Sequence, residues 1–161
     1  MEEETFASRE IVEILLDELE HSLQEANARM PQVFNSLKNL DPYLNLKTQI
    51  TLHTEEGKVA LEDFKEDKEL YLTALERLMG AYRDLAVELQ YSLNSATGKE
   101  GIASELERQG GVIIKTLSSH QEKGKIFDEL TTVLEQIHHQ EKATPIQQKK
   151  IEDLVFRLQI S

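Results

Sequence analysis

The stretch Val12–Leu40, VEILLDELEHSLQEANARMPQVFNSLKNL, decides the fold class. Val12, Leu16, Leu19, Leu23, Ala26, Met30, Val33, Leu37 and Leu40 follow one another in alternating steps of four and three without a miss. That spacing puts every one of them on a single stripe of an α-helix, the a/d seam of a heptad pattern. Ile11 and Leu15 widen the stripe, as expected where a helix packs on more than one neighbour. Pro31 falls inside the seam, and its missing N–H and its ring predict a kink or break at Ala28–Met30.

The same period recurs downstream. Leu61, Phe64, Lys68, Tyr71, Leu75, Leu78, Tyr82, Leu85 and Leu89 form a second seam, with Leu72, Met79, Ala86 and Leu93 as a parallel row. Asp41-Pro42 reads as a helix start, Asp as N-cap and Pro at the first helical position. The Thr48–Thr54 stretch and Gly57 mark where that helix would be interrupted. Asn94-Ser95-Ala96-Thr97-Gly98 is the clearest turn, and Thr97 with Glu100 has the spacing of a capping box.

A third seam follows in one register: Ile102, Leu106, Gln109, Ile113, Thr116, His120, Lys123, Phe127, Leu130, Leu134 and Ile137. Its middle is polar, and Gly110, Gly111 and Gly124 are the points at which it would break into two helices. Thr144-Pro145 opens a last short helix with Ile151, Leu154, Val155 and Leu158 on one face. No period-two alternation suggests a strand.

The expectation is an all-α single domain over 1–161, an elongated antiparallel bundle of three long heptad-patterned helices plus a short C-terminal helix. Its helices fall at about 6–40, 42–94, 99–141 and 145–160. Short turns between long helices make neighbours antiparallel, and a second copy of the chain is the most economical cover for any overhanging seam.

Composition narrows the function classes. The 161 residues include no cysteine, which removes thiol chemistry, disulfides and cysteine-ligated zinc. A net charge of -12 argues against binding nucleic acid or an anionic membrane, both of which are read by clustered Lys and Arg. No apolar run approaches the roughly 18 residues of a membrane span. MEEETFASRE lacks the basic and apolar regions of a secretory signal, which predicts a cytoplasmic, reducing location. Acidic residues crowd Glu2–Glu25, where Arg9 is the single basic residue, so the first helix could steer a basic partner; a solvated face is the plainer reading.

Two motifs carry potential chemistry. Glu18-Leu19-Glu20-His21 and Glu135-Gln136-Ile137-His138 are Glu-x-x-His pairs, a pattern that resembles the ligand motif of ferritin-like di-metal carboxylate bundles. The resemblance implies a metal held by Glu18, His21, Glu135 and His138. Heptad phase places Glu18, His21 and Glu135 away from the core, whereas such ligands project inward.

His120-Gln121-Glu122-Lys123-Gly124 resembles the His-x-x-Lys-Gly core of histidine phosphotransfer domains, which are four-helix bundles with an exposed phosphorylated histidine. The resemblance implies His120 as phosphoryl carrier and Lys123 as its charge partner. Gln121, Glu122 and Lys125 depart from that family's pattern, and His120 lies in the seam register.

In shape, three long antiparallel helices are similar to spectrin-like and membrane-bending crescent domains; the latter need a basic concave face that this charge balance lacks. With no nucleotide loop and no catalytic triad order, the sequence predicts a non-enzymatic helical interaction protein. It would act as adaptor, scaffold subunit or regulator, without a cofactor, through self- or partner association along the seam Gln109, Ile113, Thr116, His120 and Lys123.

Overall fold

A computed structural model describes residues 2–44, 52, 54–94, 99–140 and 143–161, with side chains described over 11–44, 52, 54–88, 115–140 and 143–161. These residues form α1 (Glu2–Lys38), α2 (Asp41–Leu44), α3 (Glu55–Asn94), α4 (Lys99–His138) and α5 (Pro145–Ile160). No strand occurs among the described residues, and α1, α3 and α4 pack against one another as an all-α bundle.

The heptad stripes are what the bundle buries. On α1, Val12, Leu19, Ala26, Val33, Leu37 and Leu40 (just past its end) are buried, while Leu16, Leu23 and Met30 are half-buried. Ile11, placed on the widened stripe by spacing, is exposed. On α3 the second seam is buried from Leu61 to Leu78 and again at Leu85. The broadening row proved partly wrong: Leu72 and Met79 are half-buried and Ala86 is exposed, whereas Ala74 and Ala81 fill the flank of the core.

Three points at which the spacing left a helix open to interruption are resolved by the structure. The interruption expected at Thr48–Thr54 divides the 42–94 helix into a single turn, α2, and a separate α3, because Thr54 caps a new helix. Its Oγ1 accepts from the Gly57 N–H at 3.0 Å. Gly57 is thus the third residue of α3 and buried, not a break. Pro31 sits inside α1 without ending it and lies on the exposed side of the helix. α4 runs as one helix of 40 residues through Gly110, Gly111 and Gly124. The Thr48–Ile50 stretch, His53, Thr97 and the turn at 95–98 lie outside the described residues.

The start of α5 was read correctly. Thr144 Oγ1 accepts from the Gln147 N–H at 3.2 Å, and Gln147 Oε1 accepts from the Thr144 N–H at 3.0 Å, a closed capping box with Pro145 at the first position.

The chain divides into two compact units, Met1–Ala26 with Ala74–His120, and Asn27–Thr73 with Gln121–Ser161. In the first, Arg77 of α3 reaches Glu18 (3.7 Å) and Glu25 (3.4 Å) of α1. In the second, Phe127 of α4 is fully buried and meets three rings edge-on: Phe34 of α1 and Tyr71 of α3 at 5.6 Å, and Phe64 of α3 at 6.3 Å. Edge-to-face geometry sets the positive ring edge against a negative face and adds to the burial of apolar area. Around this aromatic centre, Lys65 pairs with Glu135 and Lys68 with Asp128, so α3 and α4 run antiparallel.

Candidate functional site

The polar stripe of α4 is the first candidate. Thr116 is half-buried, His120 is 4% exposed, and Lys123 is half-buried; the side chains of Gln109 and Ile113 lie outside the described residues. Burial lowers the Lys123 pKa, because the ammonium loses solvation. A phosphoryl carrier must present its imidazole to an acyl phosphate on another protein. At 4% exposure His120 does not, and Gly124, the last residue of the His-x-x-Lys-Gly match, is buried as well. The seam register, not the five-residue motif, describes where His120 points.

The four residues of the metal motif fare differently. Glu18 and His21 are exposed in the first unit; Glu18 meets Arg77, and His21 Nδ1 lies 3.0 Å from the Asp17 carbonyl oxygen. In the second unit Glu135 is exposed and bonded to Lys65, which holds its carboxyl below the usual pKa through the hydrogen bond and then the charge. His138 is half-buried beside His139, ring centroids 5.8 Å apart. Among the described residues no group of three or more His, Asp or Glu is placed to hold a metal ion.

Sequence reasoning missed two features. The first is how the seam residue Lys68 is paired: its side chain is 8% exposed, with its Nζ 3.3 Å from Asp128 and 3.8 Å from Glu69. It occupies a seam position between Phe64 and Tyr71, and nearby Ser36 of α1 donates to Asp67 of α3. Burial raises the Tyr71 pKa well above its ordinary value, so its phenol stays neutral. These polar contacts can fix the register of α1, α3 and α4 in a way apolar contacts cannot.

The second feature is the outer face of α5. Ile151, Leu154 and Leu158 are buried, and Arg157 clamps the helix to α4 through Glu122 (2.9 Å) and Glu129 (3.6 Å). On the opposite side Ile146 is 81%, Phe156 60% and Ile160 69% exposed. With the exposed Lys149 and Asp153 they follow steps of three, four, three and four, a second heptad stripe on the same 16-residue helix. The signal was present in the spacing, masked by the two charged residues at its centre. Exposed Ile11 and Ile14 lie one turn apart on α1, and Val59 and Leu70 share a heptad stripe of α3 with exposed Asp63 and Glu66 between them; the α5 stripe gathers three exposed apolar residues within fifteen positions.

The described residues form an all-α bundle. No helix among the described residues is long and apolar enough to cross a membrane. No protein-family model, curated protein or solved structure matches the chain.

Proposed function

We propose that this chain is a non-enzymatic interaction protein, an adaptor, scaffold subunit or regulator that works by presenting helix faces to a second copy or to another protein. The observation that carries the reading is the outer stripe of α5, where Ile146, Phe156 and Ile160 face solvent opposite the helix's own core contacts. Single exposed apolar residues are ordinary on a protein surface; three on one heptad stripe of a capped, clamped helix have the form of a docking face. The net charge of -12 supports a protein partner rather than nucleic acid or anionic lipid.

The test joins solution mass with affinity recovery from native cells, for the wild-type chain and Phe156→Glu. The expected result is an assembly, of copies or with a defined partner, that Phe156→Glu disrupts while helix content is unchanged. A wild-type chain that is monomeric at every concentration and retains no partner sensitive to Phe156 overturns the reading.

A further inference from the structure

We infer that the outer face of α5 docks antiparallel on the same face of a second copy of this chain. The inference rests on the interaction reading above and names its partner.

The argument is one of register. Ile146, Lys149, Asp153, Phe156 and Ile160 alternate as a, d, a, d and a of a heptad, and all five are exposed. In an antiparallel pair of helices each a residue faces a d residue of the other helix. Placing the two-fold axis at Ile151 sets Ile146 against the second copy's Phe156 and Lys149 against the second copy's Asp153. Symmetry repeats both contacts. The four positions Ile146, Lys149, Asp153 and Phe156 are therefore self-complementary, with apolar layers outside and two Lys–Asp layers inside. A parallel pair would set Lys149 on Lys149 and Asp153 on Asp153, so the same charges select the antiparallel arrangement.

A closed two-fold contact of this kind uses one surface twice and ends at a dimer. It is also weak. One helix face falls short of the ~800 Å² per partner of a standard stable interface, and Lys150 and Glu152 each meet their own counterpart at the rim. Half-dimerisation is expected at roughly 10–100 µM chain.

Sedimentation equilibrium of the full chain from about 1 to about 500 µM decides the matter, because that range brackets the expected midpoint. Wild type passes from monomer to dimer. Lys149→Asp and Asp153→Lys each weaken the dimer at least about tenfold, since each puts like charges into both inner layers. Mixing these two variants in equal amounts restores the dimer, because every inner layer then pairs Asp with Lys. All the altered residues are exposed, and circular dichroism confirms that the fold is kept.

A wild type that stays monomeric throughout overturns the proposal. So does a dimer that neither variant weakens, or a pair of weakened variants that mixing does not restore. Those results leave the broader reading standing if a Phe156-dependent partner of another kind is recovered, so the two failures are distinguishable.

Discussion

Lys68 offers the sharpest check on how this bundle is held in register. Its side chain is 8% exposed, whereas that of Asp128, 3.3 Å from its Nζ, is 60% exposed. The pair straddles the surface: the cation is desolvated and the anion is not. Lys68→Met keeps most of the side-chain volume and removes the charge. An ion pair with so exposed a carboxylate contributes about 0.2–1 kcal/mol, and the burial cost of the ammonium disappears with it. The expected change is within about 1 kcal/mol of wild type, on the stabilising side.

Asp128→Ala acts in the opposite direction, leaving the buried ammonium with Glu69 at 3.8 Å and the more distant charge of Glu135. Breaking a fully buried pair costs about 3–5 kcal/mol, and access of water through the exposed Asp128 position lowers that to about 1–2 kcal/mol. In the Lys68→Met background the same substitution should cost a few tenths of a kcal/mol at most, as for an ordinary surface site. Urea unfolding of the four chains followed by far-UV circular dichroism measures all the terms of this double-mutant cycle, with constant m-values as the condition for comparing them. The reasoning fails if Lys68→Met costs more than about 2 kcal/mol, or if Asp128→Ala costs the same in both backgrounds.

Three further outcomes are expected. Phe127→Ala, at a fully buried ring with three edge-on neighbours, should cost about 4–5 kcal/mol in the same unfolding assay, and Phe127→Leu about 1–1.5 kcal/mol. Tyr71 has a folded pKa raised above its ordinary 10.0, so above pH 10 the unfolded chain ionises while the folded one stays neutral. Stability is then present below pH 10 and lost above it, by up to about 1.4 kcal/mol per pH unit, and Tyr71→Phe should remove that part of the slope. Thr144→Ala breaks the capping box of α5, with an expected loss of about 0.5–2 kcal/mol seen as faster amide exchange in the first turn of α5.

The core was readable because it rests on period alone. Val12 to Leu40, Leu61 to Leu85 and Phe127 to Ile137 line the interior because three-and-four spacing on a helix admits no other common face. Helix starts were readable only where one signal stood by itself. Thr144-Pro145 had no competitor, whereas Asp41-Pro42 opened a helix that ended after one turn at Leu44, and Thr54 supplied the cap that starts α3. The spacing could not say how far the Asp41-Pro42 helix would run, since the seam that follows begins only at Leu61. His120 was read in two ways, exposed by motif and buried by phase; phase prevailed because it draws on eleven positions and the motif on five. Asp128 as the partner of Lys68 was not readable at all, since the pairing depends on the relative slide of α3 and α4.

The docking proposed for α5 turns on how differently its two stripes are composed. The inner stripe, Ile151, Leu154 and Leu158, is uniformly apolar and would pack on almost any greasy surface. The outer stripe carries Lys149 and Asp153 at the positions where a purely apolar helix would have leucines. Those charges weaken any contact the face makes, because both must give up part of their hydration. They also penalise most of the wrong ones: a parallel copy, a shifted register or a uniformly apolar helix leaves Lys149 or Asp153 without an opposite charge. A stripe with apolar ends and a charged, self-complementary centre thus gives up affinity for selectivity. On that account Lys149→Leu with Asp153→Leu should associate more tightly than wild type and at the same time form species beyond the dimer, which sedimentation would resolve as a broad distribution of larger assemblies.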